Sequence, residues 1–271
     1  MTEQGFSAEQ IDTSRPHPAR MYDYYLGGWD NYEADRIAAE KVIEAVPEAR
    51  AGARANRSFL HRAVRFVANQ GIDQIIDIGT GIPTSPNTHE VARKVSPGAC
   101  VAYVDNDPIV ATHADARLTN TPGTGFFLAD VREPETVLGH PTIRDLIDFG
   151  RPVALLLVAV LHFVSDEDDP AGIVTTLTDA LPSGSYLVLS HGTADFHPDG
   201  LPQVSAVYAN ATAALSMRSR DRIAPFFDGF DLVEPGLVQI PYWRPDGPDG
   251  AVEDPDAAPR IGGYAGVGRK R

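Results

Sequence analysis

Between residues 16 and 70 the apolar positions recur at helical spacing. In Arg57–Asn69, Leu60, Val64 and Val67 fall on one stripe, which predicts a helix with a single buried face. Pro47 interrupts the run and Gly71 stands where a C-cap is needed, since proline cannot continue a helix and glycine adopts the left-handed cap conformation. After Gly71 the texture changes. Apolar runs at Gln74–Ile78, Cys100–Val104, Gly125–Leu128, Val153–Val158 and Ser185–Ser190 predict strands. Most are apolar on both faces, as in a parallel sheet covered by helices on both sides. Helices are predicted between them over Asn87–Val95, Pro108–Leu118, Pro134–Leu138, Thr142–Ile147 and Ala171–Leu181, followed by an alanine-rich helix at Pro202–Met217. Phe230–Val233 and Tyr264–Gly268 read as closing strands on either side of a Pro/Asp/Gly-rich loop at Pro245–Pro259. Residues 1–15 form a polar lead-in. The expectation is an α/β chain: a doubly wound, mainly parallel seven-stranded sheet over residues 71–271, with a helical N-terminal extension or lid over residues 1–70.

Composition narrows the setting. Of 271 residues 43% are hydrophobic, enough for a core. The longest apolar run, Val153–Leu161, is far short of the roughly 20 residues a membrane helix needs. The opening MTEQGFSAEQ has neither the basic start nor the apolar stretch of a signal peptide. The single cysteine, Cys100, excludes an internal disulfide and a multi-cysteine metal site, so the cytoplasm is the expected compartment. The formal net charge is −14, which argues against nucleic acid, a polyanion bound through Lys and Arg, as a partner. The Arg-rich stretch Arg50–Arg65 reads as a solvated helix face.

The strongest local feature is IIDIGTGIPT, Ile75–Thr84. A strand ends in Asp77, and Gly79 and Gly81 then turn the chain so that a ligand can approach the backbone. The next strand ends at Asp105, where a carboxylate can accept from both hydroxyls of a ribose. The third runs into Asp130, where a carboxylate can accept from an exocyclic amine such as adenine N6. Ligands of open α/β sheets sit outside the carboxyl ends of the strands, so all three turns face one crevice. Together they describe a nucleoside site, although each aspartate alone is more often a loop or cap residue. Thr84 stands where G-x-G-x-x-G has its third glycine, Pro83 and Pro86 stiffen the loop, and no P-loop is present. A cofactor without a pyrophosphate fits better than a nicotinamide or flavin nucleotide.

These residues resemble the motifs of class I S-adenosylmethionine-dependent methyltransferases. More narrowly, PHPARMYDYYLGGWDNYEADR, ANRSFLHRAVRF, DIGTGIPTSPNTHEVA, YVDNDP, ADVREP, LLLVAVLHFV and YAGVGRK resemble an actinobacterial S-adenosyl methyltransferase family once described as a domain of unknown function. The resemblance runs from about residue 16 to the end. It implies a Rossmann-like fold and S-adenosyl-L-methionine as cofactor. Gly79, Thr80 and Gly81 would line its methionine and ribose part, and Asp105 would bind the ribose hydroxyls with Asn106 beside the adenine. Asp130 and the backbone of Val131 would recognise the adenine edge, and Ala159 would offer a carbonyl to the cofactor's amino group. Arg57 would face the cofactor carboxylate, with Arg54 and Arg62 as competitors.

The acceptor side is less defined. Methyl transfer from a sulfonium is an in-line displacement for which the protein supplies alignment and a dry site. His162, after the fourth strand, is the candidate general base and His191 a weaker one; a structural role is the plainer reading of either. Tyr22, Tyr24, Tyr25 and Trp29 cluster near Gly27-Gly28, either as core packing or as a lid hinged at the glycines, with Tyr22 and Tyr25 toward the substrate. Asp166–Asp169 reads as an acidic loop or helix cap, and no metal is expected. The leading function is methylation of a small-molecule acceptor, possibly at oxygen. The alternatives are a non-catalytic S-adenosylmethionine-binding regulator and a nucleotide-dependent oxidoreductase.

Overall fold

The computed structural model describes residues 12–118 and 121–271; most of the polar lead-in expected at residues 1–15 lies outside them. The apolar runs after Gly71 become β1 (Gln74–Ile78), β2 (Cys100–Asp105), β3 (Thr124–Leu128), β4 (Ala154–Val158) and β5 (Tyr186–Gly192). They pair in parallel in the order β3-β2-β1-β4-β5. The chain therefore reverses direction across the sheet between β1 and β4, which opens a crevice at their carboxyl ends. The sheet is closed by β6 (Phe230–Leu232), β7 (Val238–Gln239) and β8 (Gly263–Lys270). β8 runs antiparallel to β5, and β6 and β7 pair with β8. The sheet has eight strands where the sequence predicted seven. The additional strand, β7, is two residues long, too short to show a period-2 pattern.

The helical N-terminal run divides into α1 (Pro18–Leu26), α2 (Glu33–Ala45) and α3 (Ala49–Asn69). Gly71, at φ +86°, follows the end of α3, and Pro47 separates α2 from α3. A further break falls at Gly27-Gly28. Gly27 has φ +84° and its N–H donates to Tyr24 O at 3.0 Å. Gly28 lies against the Asp23 carboxylate, where a Cβ would come within 2.0 Å of Oδ1. That carboxylate also accepts from Asp30 N and Asn31 Nδ2 at 3.0 and 2.8 Å. The glycine pair forms a cap wound round Asp23.

The predicted stripe on α3 is buried. Phe59, Val64 and Val67 are fully enclosed against Ile75, Leu156, Val188 and Trp243. α3 thus forms part of one helical layer on the sheet. Between the strands run α4 (Thr88–Arg93), α5 (Pro108–Leu118), α6 (Pro134–Gly139), α7 (Pro141–Leu146) and α8 (Pro170–Asp179), and the opposite face packs on α7 and α8 through Ile143, Ile173 and Leu177. A third cluster joins α1 and α2 to α9 (Leu201–Tyr208) through Met21, Val42, Val204 and Tyr208.

Two local expectations change, and a third is refined. The alanine-rich helix stops at Tyr208 instead of Met217 because tertiary partners take its backbone groups. Thr212 N donates to Pro16 O at 3.0 Å, Ser216 N to His162 O at 2.7 Å, and Arg15 reaches Ala211 O. The Arg50–Arg65 face is not uniformly solvated: Arg54 is exposed, whereas Arg62 is buried and donates to Trp243 O and Ile240 O at 2.9 and 3.2 Å. The acidic run divides its work, with Asp169 capping α8 through Gly172 N and Asp166 pairing with Arg218 and Arg222. Among the described residues no cluster of His, Cys, Asp and Glu is placed to hold a metal.

Phe59 meets Trp243 edge-on at 5.4 Å between ring centroids. Phe59→Ala is expected to lower stability by about 3–5 kcal/mol, the cost of an aromatic-sized core cavity, read as a lower midpoint in chemical denaturation.

Candidate active site

One cavity of about 720 Å³ runs along the carboxyl ends of the strands and under the N-terminal helices. Its size lies within the roughly 300–1,000 Å³ of small-molecule sites. Gly79, Thr80 and Gly81 form part of its floor. Gly79 and Gly81 have φ of +70° and +66°, and a Cβ on Gly79 would collide with Val160. The loop is tied to β2 at both ends: Gly79 N donates to Val104 O at 2.8 Å, and Gly81 N to Asp105 Oδ2 at 2.8 Å. Asp105 Oδ1 accepts from Asp107 N at 3.0 Å. Burial pushes the Asp105 carboxyl above its usual pKa. A carboxylate has about four acceptor directions, so Asp105 keeps capacity for further donors.

Asp130 presents a different picture. Oδ1 accepts from Arg132 N and Nε, both at 2.9 Å; Oδ2 accepts from Arg132 Nη2 at 2.6 Å and from Asn106 Nδ2 at 3.1 Å. Burial acts to raise its pKa, but the bonds from Arg132 and Asn106 outweigh that and hold it at about 2. Its acceptor directions are thus occupied. An incoming amine has to displace one donor, and the half-exposed Arg132 side chain is the freest to leave. Val131, buried beside it, also lines the cavity.

The structure separates the three arginines. Arg57 alone of them lines the cavity. Its Nη2 is anchored to Thr84 O and Pro86 O, while its buried Nε has no partner. Arg54 points to solvent and Arg62 is spent on the backbone after β7. Ala159, just past β4, has φ +59°, a strained value for a residue with a side chain. It is held there because its N–H donates to Ser190 O and to Ser190 Oγ, at 3.2 and 3.0 Å.

Sequence reasoning missed what holds Ser190. Its hydroxyl donates to Asn56 Oδ1 at 2.6 Å, and Asn56 Nδ2 donates to the Tyr22 hydroxyl at 3.0 Å. Tyr22 in turn donates to Ala53 O at 3.0 Å. A chain of hydrogen bonds thus runs from α1 through α3 to the turn at Ala159. No sequence signal marks Asn56, because its partners lie 34 and 134 residues away.

The surroundings of the two histidines accord with the plainer, structural reading of each. Gly192 N donates to His162 Nδ1 at 3.2 Å, so the neutral ring carries its proton on Nε2. Burial, then His191 and Arg218, push its pKa well below the usual imidazole range. His162 lines the cavity with Nε2–H as a hydrogen-bond donor. His191 is fully buried, with Nδ1 on Gly192 O at 2.7 Å and Nε2 on Arg218 Nη1 at 2.9 Å; burial is the main cause that lowers it to about 4. Of the aromatic group, Tyr22 and Tyr25 reach the cavity, Tyr24 stacks outside under Arg50, and Trp29 is 94% exposed.

Asp77 closes β1 under the loop, buried and accepting from Thr88 Oγ1 at 2.6 Å. Burial raises its pKa to about 6. The folded protein therefore retains a proton that the unfolded chain releases near pH 4. This contribution to stability is full below the unfolded pKa and is lost as pH rises through 6. Asp77→Asn is expected to remove roughly 2–3 kcal/mol of that fall between pH 4 and 7, measured by denaturant titration at each pH.

Comparison with known proteins accords with this geometry. A family model described as S-adenosyl methyltransferase matches residues 4–271. The fold superposes on a DUF574 family protein from Streptomyces avermitilis with a TM-score of 0.91 at 45% identity, covering 96% of this chain and 100% of that one. It also superposes on a candidate methyltransferase from Thermobifida fusca with a TM-score of 0.89 at 43% identity, covering 96% and 97%. A curated protein of Corynebacterium glutamicum, imidazole glycerol phosphate synthase subunit HisH, is 32% identical over 99 residues; the match spans 36% of this chain and 43% of that protein. The family match sets aside the nucleotide-dependent oxidoreductase, and no helix among the described residues is long and apolar enough to cross a membrane. The chain belongs to the S-adenosyl methyltransferase family and is an S-adenosylmethionine-dependent methyltransferase.

Proposed function

We propose that the protein methylates a small-molecule acceptor at oxygen, in the cytoplasm. The observation that carries this reading is one cavity that contains the glycine loop, the acidic strand ends and the lid tyrosines together. The cofactor would lie across the ends of β1, β2 and β3. Gly79, Thr80 and Gly81 would pass under its methionine and ribose, Asp105 would take the ribose hydroxyls, and Asn106 would sit beside the adenine. Asp130, released by Arg132, and the amide of Val131 would read the adenine edge. Arg57 would pair with the carboxylate, and the strained turn at Ala159 would present a carbonyl to the amino group. S-adenosylmethionine supplies a methyl group on a sulfonium, already activated for displacement. The chain's own task is to align the acceptor behind that methyl and exclude water. Tyr22 and Tyr25, carried by α1, would close the acceptor side, so that α1 and α2 serve as the lid.

Labelled S-adenosylmethionine incubated with a mixed panel of phenols, acids and amines tests the acceptor atom: label carried on an oxygen supports the reading, and label found only on nitrogen overturns it.

S-adenosylhomocysteine is expected to bind with micromolar or better affinity by calorimetry; no heat and no thermal shift at millimolar ligand would refute the reading. Asp105→Ala is expected to weaken that binding by about 1.5–3 kcal/mol, the worth of hydrogen bonds to a charged group. An unchanged affinity removes Asp105 from the ribose.

A further inference from the structure

The cavity extends beyond the positions assigned to the cofactor. From β2 to β5 the order β2-β1-β4-β5 gives three strand spacings, about 14 Å. The far end lies over β4 and β5 and is roofed by α1, α2 and α9, with the turn at Leu161–Phe163 as a side wall. Val42, Val46, Phe163, Val204, Tyr25 and Tyr208 line it. The Phe163 and Tyr208 rings stand 5.5 Å apart at 47°.

Charge is almost absent from this lobe. Glu48 and Arg260 reach its rim but are paired with each other, and His197 is hydrogen-bonded to Arg260 O. The polar groups that remain are neutral donors. His162 carries its proton on Nε2, by the geometry at Gly192. The Tyr25 and Tyr208 phenols lie side by side, and burial raises both, Tyr208 to about 12. Tyr25 Oη is buried without a hydrogen bond of good geometry, so the pair is incompletely satisfied.

Three classes of oxygen acceptor meet this lobe differently. A carboxylate needs no base but brings two oxygens and a full charge into the lobe, more acceptor sites than its few neutral donors can fill, and the lobe offers no unpaired cation among the described residues. An alkyl alcohol needs a base to shed its proton, and His162 is not one. An aryl alcohol ionises near pH 10, as tyrosine does, and neutral donors stabilise its oxyanion. We propose that the lobe between Phe163, Val204 and Tyr208 binds an uncharged aryl alcohol, its ring against Phe163 and its hydroxyl toward Tyr208 and His162. The acceptor's proton passes to water, an O–CH3 bond forms as the S–CH3 bond breaks, and the sulfonium leaves as a neutral thioether.

This assignment rests on the methyltransferase reading, so its test begins from the S-adenosylhomocysteine complex. The full-length protein is saturated with S-adenosylhomocysteine and then titrated by calorimetry with 2-naphthol and, separately, 2-naphthoate. The expected result is binding of 2-naphthol at least tenfold tighter than 2-naphthoate. With S-adenosylmethionine, 2-naphthol but not 2-naphthylmethanol should yield a methyl ether. Tyr208→Phe should weaken 2-naphthol about five- to tenfold while leaving S-adenosylhomocysteine affinity within twofold. Val204→Phe, which fills the lobe with a larger side chain, should do the same or more, and serves if the tyrosine variant does not fold. Equal or tighter binding of 2-naphthoate, no heat with 2-naphthol, or unchanged 2-naphthol affinity in a folded variant overturns the proposal. Any of these with S-adenosylhomocysteine still bound leaves the methyltransferase reading intact; failure to bind S-adenosylhomocysteine removes both.

Discussion

A 2.6 Å hydrogen bond between Ser190 on β5 and Asn56 on α3 joins the helical cover to the floor of the cavity. Both residues are buried, so neither can exchange this bond for water. Through Ser190 the bond fixes the N–H of Ala159, and through Asn56 it fixes the hydroxyl of Tyr22. The strained turn after β4 and α1 are therefore positioned by the same pair. Removing either side chain leaves a buried polar group without a partner, which costs more than the bond itself contributes.

The two halves of the cavity are built on opposite electrostatic terms. At the ends of β1 to β3 three carboxylates stand close together, and what differs among them is the company each keeps. Asp130 is surrounded by donors and stays ionised, whereas burial raises Asp77 and Asp105. A polar, hydroxyl-rich cofactor suits such an end, because it brings donors to acceptors that are already desolvated. At the ends of β4 and β5 the ionised groups are paired off and the remaining donors are neutral. The sulfonium would lie at the boundary, with its positive charge facing a lobe that holds no competing cation.

The N-terminal extension is less of a separate body than its position in the chain suggests. α3 shares a core with the sheet, and α1 and α2 share one with α9, which follows β5. Buried charge adds to this. Arg20 on α1 lies 3.5 Å from Asp35 on α2 and 3.8 Å from Asp107 at the start of α5 (Pro108–Leu118), all three nearly inaccessible. Partner loss at such a site is costly, so opening the cavity by moving α1 means unpairing these groups.

The sequence by itself determined the parts that depend on neighbours along the chain. β1 matched its predicted span, as did α5, and the five parallel strands and the pair of glycines at the cavity floor were legible from periodicity and turn chemistry. Asp105 and Asp130 were legible too, because strand ends face the crevice in any doubly wound sheet. The resemblance to a methyltransferase family supplied the cofactor. Only the tertiary structure decided which of Arg54, Arg57 and Arg62 turns inward, since one helix presents all three and the surroundings choose. It ended the alanine-rich helix at Tyr208, where distant carbonyls and amides took over the backbone. It also set which ring nitrogen of His162 donates, because a histidine's proton sits where its hydrogen bonds place it, and the amide that fixes this lies 30 residues away, at Gly192. Local pattern reports what a segment tends to form; contacts across the sheet fix which of its polar atoms remain free to act.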